Sequence, residues 1–167
     1  SMGKTAFAMN MVEHAVLNQE RPVLVFSLEM PASQLIIRLL SSIGRIDQTH
    51  LRTGQLSGAD WTRLSRAGQK LKDRPLFIDD TAGITPLEIR NRIKQFTRER
   101  METLRQQWLD THGKDSQPDN DLLYSQAQPG LIMVDYLQLM SGSNASEGRV
   151  QEISQISREL KNIAREY

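Results

Sequence analysis

The sequence predicts an α/β fold in which parallel strands are joined by crossover helices, and three observations predict it. Three short apolar runs, VLVFS at 23–27, PLFIDD at 75–80 and LIMVDY at 131–136, are continuous rather than alternating, as strands buried on both faces are. Segments with the period of an amphipathic helix lie between them. Each run closes on acid: Glu29 just past the first, Asp79 and Asp80 at the end of the second, Asp135 in the third.

From Thr5 to Gln19, Phe7, Met11 and Ala15 recur at helical spacing, and the alanine and methionine content favours a helix. Arg21-Pro22 ends it, and the first strand follows. After Met30-Pro31 the stretch ASQLIIRLLSSI is a second amphipathic segment. Ser57 then caps a third helix whose first turn carries Asp60. Past the second strand, Thr85 as cap, Pro86 at the first helical position and Glu88 three residues on from the cap open another helix. The terminal VQEISQISRELKNIAREY carries Ile153, Ile156, Leu160 and Ile163 on one helical stripe.

One stretch breaks the rhythm. From about Arg98 to Gln128 the chain is polar, and it ends in DSQPDNDLLYSQAQPG. Its first half predicts a helix extended on solvated charges, its second half a loop or disorder. Arg98, Arg100 and Arg105 are interleaved with Glu99, Glu102 and Asp110, which reads as a solvated face rather than a DNA-binding one.

Composition narrows the class. At 167 residues the chain is long enough for one domain with a real core. A formal net charge of +1 is not that of a dedicated cationic DNA-binding module. The absence of cysteine rules out disulfides and thiolate zinc sites. His14, His50 and His112 sit in separate segments without metal-ligand spacing. The longest apolar runs are broken by charge and fall short of the ~20 residues that cross a bilayer. No signal peptide is visible, and the expectation is a soluble cytoplasmic protein without a membrane partner.

The opening SMGKT matches the last part of a phosphate-binding loop, G-x-x-x-x-G-K-[ST], with Gly3, Lys4 and Thr5 in place. In an open parallel sheet, ligands bind at the carboxyl edge of the strands, which is where the acids fall. One such acid alone is explained by a cap or a solvated turn. Three on the edge where a GKT helix begins point to nucleotide hydrolysis. Backbone N–H groups and the positive end of the helix would hold phosphate oxygens. Lys4 would neutralise the β- and γ-phosphates, Thr5 would ligate Mg²⁺, and a carboxylate at a neighbouring strand end would hold the metal's waters. A second carboxylate, left unengaged, would orient or deprotonate the attacking water. The pattern leaves Asp79, Asp80 and Asp135 as rivals for the magnesium role, because PLFIDD and LIMVDY both place an aspartate after four apolar residues.

SMGKTAFAMNMVEHA, VLVFSLEMPASQLIIRLLSS, LRTGQLS, PLFIDDTAGIT, IMVDYLQLM and EISQISRELKNIAREY together resemble, in order, segments of the replicative DNA helicases of the bacterial DnaB family. The resemblance covers nearly all of the chain outside 98–128. It implies a RecA-like P-loop NTPase motor domain, three-layered, with a mostly parallel central sheet and truncated at both ends. It further implies an ATP- and Mg²⁺-dependent ring helicase, a homo-hexamer on single-stranded DNA that meets a primase and a helicase loader. By matching position, Ser1, Met2, Gly3, Lys4 and Thr5 belong to the phosphate loop. Glu29 in SLEMP is the catalytic carboxylate, and Asp135 is the Mg²⁺-associated acid that completes the nucleotide site with Thr5. Asp79 and Asp80 are left with structural roles.

The family also carries features without a counterpart here: the strand before the loop, the polar sensor, DNA-contacting loops and arginine finger past IAREY, and the amino-terminal collar domain. Because a buried strand of five apolar residues contributes on the order of 10 kcal/mol, comparable to the whole stability of a domain, the segment alone is expected to be marginal and inactive. The stretch 98–128 reads as a lineage-specific surface insertion. The loop SGSNASEGR could face a DNA pore, with Arg149 on phosphate, or simply lead into the last helix. Two other functions fit the same residues: another RecA-like ATPase of recombination or repair, against which SLEMP and DYLQLM stand, and a non-catalytic nucleotide-binding ring module.

Overall fold

In the computed structural model of the chain, which describes residues 3–142 and 148–167, every residue of the strand β1 (Val23–Ser27) is buried. β1 is the middle of a three-stranded parallel sheet, flanked by β2 (Leu76–Asp79) and β3 (Leu131–Asp135) in the order β2-β1-β3. Val23 is level with Leu76 on one side and Leu131 on the other, Phe26 with Asp79, and Ser27 with Asp135. That register brings the acids closing β2 and β3 to one edge of the sheet.

Alternation along β1 sorts its side chains into two cores. Val23 and Val25 pack with Met9, Val12, Ala15 and Val16 of α1 (Lys4–Asn18) and with Leu35 and Leu39 of α2 (Ala32–Gly44). Leu24 and Phe26 face the other way, onto Ile89 and Ile93 of α5 (Pro86–His112) and Ile156 and Ile163 of α7 (Arg149–Glu166). The result is three layers, helices on both faces of the sheet. Burying these four side chains of β1 contributes about 6 to 12 kcal/mol at the usual transfer value, an upper figure because the unfolded chain already hides part of that surface.

Between the strands lie α3 (Gln48–Thr53), α4 (Gly58–Leu71) and α6 (Asn120–Ala127), and a single 3-10 turn follows β3 at Leu137–Leu139. The caps read from the sequence form as full capping boxes. Ser57 Oγ accepts from the Asp60 N–H at 3.1 Å while Asp60 Oδ2 accepts from the Ser57 N–H at 3.1 Å. Thr85 and Glu88 make the same exchange, with Pro86 first in α5.

Two elements depart from expectation. The second half of the polar stretch, expected as loop or disorder, contains α6. Asp119 supplies its cap, accepting from the N–H groups of Asp121 at 2.9 Å and Leu122 at 3.2 Å, and Leu123 and Ala127 are buried. α6 folds back on the distal half of α5, where Arg105 Nη2 donates to Asn120 Oδ1 at 2.8 Å. α3, which no apolar period announces, is set by Asp47 accepting from the Thr49 N–H at 2.6 Å. No helix among the described residues is long and apolar enough to cross a membrane.

Candidate active site

The site is assembled from the start of α1, the turn after β1 and the end of β3. Gly3 holds φ 74° and ψ 14°, a left-handed conformation that glycine adopts without steric cost. It lets the chain turn directly into α1, whose first turn closes with the Phe7 N–H donating to Gly3 O at 2.9 Å. Among the described residues no side chain caps α1, and no acid lies in its first turn. Its leading amides and the positive end of its dipole are therefore unspent, the electrostatics an anion needs. Ser1 and Met2, expected in the same loop, lie outside the described residues.

One residue into α1, the Thr5 hydroxyl donates to Asp135 Oδ2 at 2.6 Å, a contact between residues 130 positions apart. Asp135 is only 5% exposed, the last residue of β3. Next to it, Lys4 Nζ lies 3.6 Å from the centroid of the Tyr136 ring, a cation–π contact. The Asp135 carbonyl accepts from the Leu28 N–H at 2.7 Å, which carries the β1–β3 pairing one residue beyond β1 and brings the Leu28-Glu29 turn alongside. Ser27, buried, holds that turn: its hydroxyl donates to Met30 O at 2.7 Å and accepts from the Met30 N–H at 3.3 Å. Glu29 itself is exposed.

Asp79 and Asp80 are engaged elsewhere. Asp79 Oδ1 accepts from the Thr81 N–H at 2.9 Å, and Oδ2 pairs with Arg92 Nε at 3.3 Å. Asp80 Oδ2 accepts from the Ala32 N–H at 2.8 Å. Of the three rival aspartates, Asp135 is the one hydrogen-bonded to Thr5. Sequence reasoning did not single out Tyr136 or Ser27; only the register of β3 beside α1 and the shape of the turn after β1 reveal them.

A magnesium ion fits the donors present. The Thr5 hydroxyl and the Asp135 carboxylate are two hard oxygen ligands at contact distance. That suits a cation that takes one or two protein ligands and completes its octahedron with water and phosphate oxygens.

Arg149 is spent inside the chain. Its guanidinium donates to Gln138 O and to Glu152 Oε2, while Glu152 Oε1 accepts from the Gly142 N–H at 2.8 Å. The Arg149 hydrogen bond, then the one from Gly142, holds the Glu152 carboxyl below its ordinary value. The Arg149 side chain thus braces the start of α7 against the turn after β3. Residues 143–147, most of the loop expected to face DNA, lie outside the described residues.

The family described as DnaB-like helicase C terminal domain matches residues 1–110 and 120–167. The replicative DNA helicase DnaB of Buchnera aphidicola subsp. Acyrthosiphon pisum is 42% identical over 167 residues, covering 99% of this chain and 31% of its own length. A solved structure of an ATPase domain superposes with a TM-score of 0.75 at 30% identity, over 99% of this chain and 50% of that one. A DnaB-like replicative helicase, solved with its interactions with primase, gives 0.74 at 30% identity over 99% of this chain and 34% of that one. The chain spans about a third of the length of the curated relatives it matches. With a RecA-like three-layer fold and a family match over both halves, the chain belongs to the DnaB-like helicase C-terminal domain family.

Proposed function

We propose that this chain is part of the ATP-hydrolysing motor of a replicative DNA helicase, one RecA-like domain whose ATPase site lies at the carboxyl edge of the sheet. The observation that carries the reading is the 2.6 Å hydrogen bond from Thr5 to Asp135 at the mouth of the uncapped α1. The α1 amides and Lys4 bind the triphosphate, and Lys4 leaves the Tyr136 ring to do so. Thr5 and Asp135 would hold Mg²⁺, which when bound would neutralise phosphate charge. Glu29 stands on the adjacent turn, outside this pair, and is the residue that orients the attacking water and accepts its proton.

The whole protein works as a homo-hexamer that translocates on single-stranded DNA and opens the duplex at the fork, in the cytoplasm, with a primase and a loader as partners. The family match and the relative described with its interactions with primase support this assignment. Of the segment 98–128, the family match covers 98–110 and 120–128 and omits 111–119, so the surface elaboration of the motor is that tip. The test is ATP turnover and fork opening by the full-length protein. Hydrolysis that needs Mg²⁺, rises with single-stranded DNA and drives strand separation is expected; DNA-independent hydrolysis without strand separation contradicts the helicase reading.

A further inference from the structure

We infer that Asp80 is a positioning residue for Glu29, acting through the amino terminus of α2. The inference rests on Glu29 being the catalytic carboxylate. Glu29 lies in the four-residue connection between Ser27, the end of β1, and Ala32, the start of α2. The near side of this connection is fixed by the sheet, through Leu28 N–H on Asp135 O and Ser27 Oγ on Met30. On the far side, Pro31 O accepts from the Gln34 N–H at 3.0 Å and the Leu35 N–H at 3.3 Å, which closes the first turn of α2 but gives the Ala32 N–H no acceptor. The residue capping α2 is Pro31, whose side chain cannot accept a hydrogen bond, and the first turn of α2 has no acid. The N–H groups of Ala32 and Ser33 would be unanswered by the helix's own sequence.

Asp80 answers one of them from 48 residues away: its Oδ2 accepts from the Ala32 N–H at 2.8 Å. The aspartate before it supplies the rigidity. Asp79 is pinned by Arg92 and by its own turn to Thr81, so Asp80 projects from a fixed strand end. The connection bearing Glu29 is thus held from β1 and β3 on one side and from β2 on the other. A carboxylate that must meet an attacking water tolerates little displacement, since a shift of about 1 Å can cost on the order of a hundredfold in rate.

The test is steady-state ATP turnover by the full-length protein. Asp80→Ala is expected to lower kcat at least tenfold with KM for ATP changed less than twofold, because phosphate binding belongs to α1. Asp80→Asn, which keeps an acceptor oxygen, is expected to restore most of kcat. Asp80→Glu, longer by a methylene, is expected to lower kcat, and it carries the test if the alanine variant fails to fold. In a Glu29→Gln background, Asp80→Ala is expected to add no further loss, since both act on one step. Wild-type kcat in Asp80→Ala and Asp80→Glu, or losses that multiply with Glu29→Gln, overturns the positioning role. Loss of turnover in Asp80→Asn equal to that in Asp80→Ala also overturns it, because the charge and not the hydrogen bond would then matter. If Glu29→Gln itself turns over normally, the assignment of Glu29 fails instead, a distinct result.

Discussion

The Thr5 hydroxyl and the Asp135 carboxylate meet at 2.6 Å, joining the first turn of α1 to the end of β3. Because Asp135 is nearly buried, this contact is shielded in a way that a surface pair is not. Thr5→Val keeps the shape and removes the ligand oxygen. In the full-length protein it is expected to raise the Mg²⁺ concentration for half-maximal ATP turnover about tenfold or more, the worth of one charge-assisted contact. A Mg²⁺ titration of the variant checks this, and an unchanged midpoint would remove Thr5 from the metal site.

Lys4 rests on the face of Tyr136, and in the proposed function nucleotide would draw it away. A cation–π contact of this kind is worth about 0.5 to 2 kcal/mol. Tyr136→Leu is therefore expected to tighten ATP binding by a few-fold, and Lys4→Ala to abolish it. Equilibrium titration with a fluorescent ATP analogue separates the two; weaker binding by Tyr136→Leu would show that the ring contacts nucleotide instead.

Asp47, Asp60 and Glu88 all have carboxyl groups held below their ordinary values by hydrogen bonds at helix starts, from Thr49, Ser57 and Thr85 respectively. A depressed folded value means that the folded state favours the charged form. The stabilisation is thus fully present above the ordinary carboxylate pKa of about 4 and is lost as pH falls through the folded values. Thermal stability of the full-length protein should be insensitive to these groups between pH 7 and 5 and decline below about 4. Glu88→Gln should flatten that decline; an unchanged acid limb would show that the capping box of α5 contributes no proton linkage.

The tip between α5 and α6 falls outside the family match, at 111–119. Replacing residues 113–118 by a short glycine-serine linker, which leaves the Asp119 cap of α6 in place, should change ATP turnover by less than twofold. A larger loss, measured with the full-length protein, would tie the hairpin to the motor cycle.

β1 was legible because burial on both faces leaves a continuous apolar signature, whereas β2 and β3, expected to be buried likewise, carry that signature while mostly half-buried. VLVFS appears in the structure with the bounds read from the sequence, and Ser57 with Asp60, and Thr85 with Glu88, carry their capping chemistry within four residues. α6 was hidden because only Leu123 and Ala127 of its polar sequence are buried, against an α5 long enough to receive them. The choice among Asp79, Asp80 and Asp135 was closed to pattern, since two strands end alike, and required the family resemblance. The Thr5 hydrogen bond now adds a geometric reason. Lys4 on Tyr136 and Asp80 on Ala32 join residues far apart in the chain, so only the assembled sheet edge reveals them.

The central claim is that Glu29, on the turn beside Asp135, performs the hydrolytic step of a helicase motor. Its most direct test is fork unwinding and ATP turnover by the full-length protein carrying Glu29→Gln, with nucleotide binding and ring assembly measured alongside. Binding and assembly are expected to persist while hydrolysis and unwinding both fall by two or more orders of magnitude, the usual scale for loss of a general base. Unwinding at the wild-type rate would contradict the claim and move the catalytic carboxylate to another residue.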